Sequence, residues 1–125
     1  MARALNQEIV NDAAKLMMHR LIARRLARDP ALVDRARAAH ARVSARYAGQ
    51  PFVRDWDRLL CRPPSELRLL LASRDREMNR LRLSSPFVIA DGVDFTDLAL
   101  RQRIWRAAKR LAMRAATHHS IQSPT

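Results

Sequence analysis

Glycine is nearly absent from this chain, with two residues in 125. So few glycines leave no loop able to wrap successive backbone N–H groups around a phosphate, which excludes P-loop and dinucleotide fingerprints. Cysteine occurs once, at Cys61. That excludes an intrachain disulfide and the paired-cysteine motifs of metal and redox sites, and a small buried or half-buried role is expected for it. No run of about 20 apolar residues is present, so no transmembrane helix is expected. The first residues lack the apolar stretch of a secretory signal, and a cytoplasmic location is the expectation. Aromatic residues make up only 5%, and β-branched residues are few, which removes the usual material of strands. Acidic residues are scarce too: 12 against 24 basic ones, for a formal charge of +12.

What remains is Ala, Leu and Arg, a helix-forming mixture. Hydrophobic residues are 48% of the chain, enough for a single domain with a real core, expected over residues 1–116 with a flexible tail at 117–125. Lys15 and Lys109 are the only lysines, so all but two of the bases are arginine. The planar guanidinium fork suits phosphates and carboxylates, although GC-rich coding alone also favours Arg over Lys. The net excess is not explained by coding and implies an anionic partner: nucleic acid, an acidic protein or a membrane surface. The membrane is the weakest of these, because Trp105 and the aliphatic residues of its helix are needed for the core.

Helical spacing organises the chain. The first helix, about 5–28, carries one stripe of Val10, Ala14, Met17 and Leu21 and a second of Met18, Ile22 and Leu26. A helix apolar on two sides packs between two neighbours or against a second chain, so helix one is also a candidate dimer interface. Asp29 and Pro30 read as N-cap and first position of a second helix reaching about Ala48, with Val33, Ala36, His40, Val43 and Tyr47 as its seam and Gly49 closing it. Short pieces follow: Pro51 to Leu60 with Phe52 and Trp56; Ser65 capping a turn with Leu67, Leu70 and Leu71; and Ser73 to Leu83. Phe87, Val88 and Ile89 form a loop anchored by Phe87. Asp94 or Thr96 is expected to cap the final helix, about 97–116.

That final helix segregates its residues. At about 100° per residue, Leu100, Ile104, Trp105, Ala108, Leu111, Ala112 and Ala115 share one side, and Arg103, Arg106, Lys109, Arg110 and Arg114 the other. Chemistry is harder to find. Asp55 and Asp57 diverge on a helix, Asp91, Asp94 and Asp97 suit turn and cap roles, and His118 with His119 lacks further ligands. The most distinctive string is Arg80-Leu81-Arg82-Leu83-Ser84-Ser85-Pro86-Phe87. It reads either as a helix stop with Phe87 filling the core, or as a recognition surface of Arg80, Arg82, Ser84, Ser85 and Phe87.

At that string, at His19-Arg20-Leu21-Ile22-Ala23, at Trp56-Asp57-Arg58-Leu59-Leu60 and at Ile104-Trp105-Arg106, the chain resembles small bacterial all-helical antitoxin-like proteins of toxin–antitoxin loci. The resemblance spans most of residues 16–112. It implies neutralisation of a toxin by protein–protein binding, sometimes joined to operator DNA binding. Antitoxins are commonly acidic and this chain is basic, a departure that implies an acidic partner or a nucleic-acid role. Neither a ribbon-helix-helix start nor a clear helix-turn-helix is visible.

The expectation is therefore an all-α fold: a long antiparallel helical hairpin, then short helices, then the basic amphipathic terminal helix. The expected function is non-catalytic binding of a cognate protein, with Arg80, Arg82, Ser84, Ser85 and Phe87 as contacts and homodimerisation as a further option. The alternative is binding of DNA or RNA through Arg103, Arg106, Lys109, Arg110 and Arg114. No catalytic residue, metal or cofactor is expected.

Overall fold

The computed structural model describes the backbone of residues 6–122 and the side chains of residues 6–115. The described residues form six helices and no strand: α1 (Gln7–Arg28), α2 (Leu32–Arg46), α3 (Pro51–Leu59), α4 (Pro64–Leu71), α5 (Arg76–Arg82) and α6 (Leu98–Gln122). The all-α class read from composition is the class observed. No helix among them is long and apolar enough to cross a membrane.

Helix α1 is the axis of the molecule. Asn6 caps it by accepting the Glu8 N–H at 2.8 Å. Its two apolar stripes meet two different neighbours, as their spacing requires. Val10, Ala13 and Ala14 pack on Ile104, Ala108 and Ala112 of α6. Ile22 and Leu26 enter the main core with Leu67 and Leu71 of α4, Trp56 of α3 and Phe87 of the loop after α5. Val10, Ala14, Ile22 and Leu26 are thus covered within one chain, while Met17, Met18 and Leu21 are half-buried beside α6. The second half of α1 meets the first half of α6, where Met17 and Leu21 lie beside Leu100 and Ile104.

The expected α1–α2 hairpin is not the organising contact. Helix α1 packs chiefly on α6 and α4, and α2 packs on α3. The first two helices share only the common core, to which α1 gives Ile22 and Leu26 and α2 gives Leu32, Val33 and Ala36. The corner between them also departs from the expected cap. Asp29 does not cap α2, whose cap is Ala31 without a side-chain hydrogen bond. Its carboxylate instead pairs with Arg35 and lies 3.7 Å from Arg25. Ser65 likewise lies inside α4, which Pro63 and Pro64 start, and α5 begins only at Arg76, after Ser73 Oγ has accepted the Asp75 N–H.

The cap of α6 is Asp97, not Asp94 or Thr96 as expected, because Asp94 and Thr96 are engaged with each other one turn earlier. Asp94 accepts both the backbone N–H and the hydroxyl of Thr96, and Asp97 caps α6 by accepting the Leu100 N–H at 2.8 Å. Gly92, at φ 84°, turns the chain where an L side chain is strained. Arg25 donates to the Gly92 carbonyl oxygen and ties this loop to α1. Helix α6 continues past Ala116 to Gln122. The side chains of the expected tail, His118 and His119 included, lie outside the described residues.

Candidate partner-binding surface

Much of the string from Arg80 to Phe87 closes the core, while Arg80 and Leu83 stay exposed. Met78, Leu81, Arg82 and Ser85 stand at i, i+3, i+4 and i+7, and all four are buried. Arg82 is 1% exposed. Its guanidinium donates to the carbonyl oxygens of Leu71 at 3.0 Å and Ser73 at 2.7 Å and to Asn79 Oδ1. It thereby satisfies acceptors that every helix leaves open at its C-terminal end. Burial holds its pKa below the ordinary arginine value, Arg20 lowers it further, and Asp12 offsets part of the effect.

Phe87 is fully buried, its ring edge-on to Trp56 with centroids 6.2 Å apart. Ser85 Oγ accepts the Phe87 N–H, and Ser84 Oγ donates to the Leu81 carbonyl oxygen while accepting the Trp56 indole N–H. Of the five expected contacts only Arg80 is well exposed, and it is held by Glu77 and by Asp55 at 3.1 Å. A partner contact through Arg82, Ser85 and Phe87 is therefore corrected. Those side chains close the core, because an arginine on the apolar stripe of α5 meets the open end of α4.

The cationic face of α6 is placed differently. Arg103, Arg106, Lys109, Arg110 and Arg114 are all exposed. Among the described residues none of them lies within ion-pair distance of a carboxylate, and neither does their neighbour Arg101. The opposite side of the helix is spent on α1 through Ile104, Ala108 and Ala112, which fixes the cationic side outward. Apolar residues stand at both ends of this face: Leu98 is 69% and Met113 56% exposed. A shallow depression of about 530 Å³ runs along it between Leu98, Arg101, Trp105 and Arg106.

Where α6 meets α1 the surface sinks into a second groove of about 330 Å³. Helix α1 contributes Met17, Arg20, Leu21 and Arg24, and α6 contributes Leu100, Arg103, Ile104 and Ala107. Both sets follow the i, i+3, i+4, i+7 spacing of one helix face. Arg20 is half-buried. Burial pushes its pKa below the ordinary arginine value, and Arg74 and Arg24 push it further the same way. No carboxylate among the described residues pairs with Arg20, Arg24, Arg74 or Arg103. Reading the sequence alone passed over Arg20 and Arg24. The available signal was their register, three residues on from Met17 and from Leu21, at the edge of the stripe that faces α6.

The remaining polar groups have structural partners. His40 Nε2 lies 2.7 Å from Asp57 Oδ1, while Asp55 points to Arg80, so the two aspartates diverge as their spacing demands. Cys61 is exposed, against the expectation of burial, because the chain turns outward after Leu60. It lines one depression with His40 and Asp57. Among the described residues no three His, Cys, Asp or Glu side chains gather closely enough to hold a metal ion. No family model, curated protein or solved structure matches this chain.

Proposed function

We propose that this chain is a non-catalytic binding protein that holds an acidic partner protein on the α6 side of the molecule, in the manner of an antitoxin. One observation carries the reading. Arg103, Arg106, Lys109, Arg110 and Arg114 are exposed and, among the described residues, have no carboxylate within ion-pair distance, and exposed Leu98 and Met113 flank them. Unpaired surface guanidinium groups are free to form bidentate bonds with carboxylates. The adjoining apolar side chains give a protein partner area to bury, which a phosphate backbone does not need.

The test is co-expression with the product of the neighbouring gene, the arrangement implied by the resemblance to toxin–antitoxin proteins. The expected result is a complex that co-elutes on gel filtration, and relief of any growth arrest that product causes. Separate elution with undiminished arrest contradicts the proposal.

A second reading, binding of DNA or RNA, is favoured by the length of the cationic face, which continues from Arg103 to Arg114 along one helix. Its signature is a fall in affinity for a duplex of about 20 base pairs between about 50 and 200 mM salt, linear on log–log axes.

A further inference from the structure

We propose that the groove between α1 and α6 is the docking site for an acidic amphipathic helix of a partner protein, whose apolar residues settle on the half-buried Met17, Leu21 and Leu100 while its carboxylates pair with Arg20, Arg24 and Arg103. The inference rests on the acidic-partner reading and gives it an address. Charge complementarity identifies the occupant. Arg20, Arg24 and Arg103 ring one apolar floor, and among the described residues no carboxylate pairs with them. Arg74 adds a further positive charge that acts on Arg20. Bringing these cations together costs free energy in the unbound chain, and an anionic visitor recovers it. The floor is aliphatic, so it offers no aromatic face on which a nucleobase could stack. A second copy of this chain is a poor occupant, because its formal charge of +12 repels the same rim. Three arginines about one groove match several carboxylates spaced along a segment, more than the single headgroup of a fatty acid.

Geometry supports a helix as that segment. Met17 to Arg24 spans two turns of α1, about 10 Å. The two helix faces present ridges at i, i+3, i+4 and i+7 with a furrow between them, the shape into which the ridge of a third helix packs. One apolar pair of the visitor fills a space of this length, with Glu or Asp on either side within reach of the arginine stems.

The experiment is a fluorescence-anisotropy titration of the full chain with a labelled peptide of about 16 residues, carrying Leu at i, i+3, i+4 and i+7 and Glu on the flanks. A peptide of equal charge with Ser at the Leu positions and a single-stranded DNA of about 20 nucleotides serve as comparisons. The proposal expects the Leu peptide to bind at least about ten-fold more tightly than the Ser peptide. It also expects the double variant Arg20→Glu/Arg24→Glu to lose about ten-fold or more of that affinity, while melting no lower than the wild type, since the exchange relieves repulsion. Equal binding of the Ser peptide, or tighter binding of the DNA, overturns it. A Leu peptide insensitive to Arg20→Glu/Arg24→Glu yet weakened by Arg106→Glu/Arg110→Glu removes the groove and leaves the acidic-partner reading in place. Failure of every acidic peptide and of the neighbouring-gene product to bind removes both.

Discussion

The guanidinium of Arg82 donates to the carbonyl oxygen of Leu71, 3.0 Å away, so that a side chain leaving α5 closes the C-terminal end of α4. The same group holds the Ser73 carbonyl oxygen, and no carboxylate pairs with it among the described residues. Replacing Arg82 by Met leaves buried acceptors unmatched, and the expected loss of stability is about 3 kcal/mol by urea denaturation. Arg82→Lys recovers little of it, because one ammonium cannot span the fork of acceptors. Charge reversal at Arg82 consequently reports on folding and not on partner contact. Unfolding midpoints within error of the wild type for both variants would falsify the capping role.

Trp56 joins α3 to the end of α5. Its indole N–H lies 3.0 Å from the Leu81 carbonyl oxygen and 3.2 Å from Ser84 Oγ. Trp56→Phe keeps an aromatic ring against Phe87 but removes that donor and some core volume, for an expected cost of about 2 kcal/mol. Calorimetric melting checks it, and an unchanged melting temperature refutes the assignment.

Gly92 sits at φ 84°, and a methyl group there meets Arg25 Nη2 at 3.1 Å. Gly92→Ala is expected to cost about 1–2 kcal/mol in backbone strain. It also loosens the clamp of Arg25 on this turn, so amides of residues 91–96 exchange hydrogen faster than in the wild type. Unaltered exchange there contradicts the clamp.

His19 is fully buried, with Nδ1 2.6 Å from the Lys15 carbonyl oxygen and Nε2 without a partner among the described residues. Nδ1 is therefore the donor. Burial lowers its pKa to about 4; the Lys15 carbonyl opposes the shift, and the charges of Arg82 and Lys15 add to it. A histidine depressed in the folded state binds its proton more readily when unfolded. The chain is therefore expected to lose stability as pH falls from about 6.5 to about 4, by roughly 3 kcal/mol in all. Urea titrations across that range should show the loss in the wild type and a flatter profile in His19→Leu. Parallel profiles for the two proteins rule it out.

Much of this fold is legible from spacing. Val10, Ala14 and Met17 against Ile22 and Leu26 place α1 between two neighbours, and the structure covers one stripe with α6 and the other with α4. Phe87 after a Ser-Ser-Pro stop declares itself as a core anchor. Pairing of helices is less legible, because an apolar stripe does not say which other stripe covers it. The stripe of Val10 and Ala14 fits α2 as readily as α6, and nothing in its own spacing says that α6 is the helix that covers it. Arg82 illustrates a second limit. Its register with Met78, Leu81 and Ser85 announces burial, but the acceptors that make burial tolerable belong to α4 and have no mark in the local string. The outward face of α6 is readable because one periodicity fixes both its sides at once. The groove beside it is not, since Arg20 and Arg103 become neighbours only through the tertiary packing of α1 on α6.

The surface assignment is tested most directly by titrating the neighbouring-gene product and a duplex of about 20 base pairs against the wild type and the variant Arg103→Glu/Arg106→Glu/Arg110→Glu/Arg114→Glu. All four positions are exposed, so the thermal midpoint of the variant should stay close to that of the wild type. The prediction is a protein complex with the wild type that weakens by about a hundred-fold or more in the variant. Undiminished affinity after reversal of these four charges would show that the cationic face of α6 is not where this molecule meets its partner.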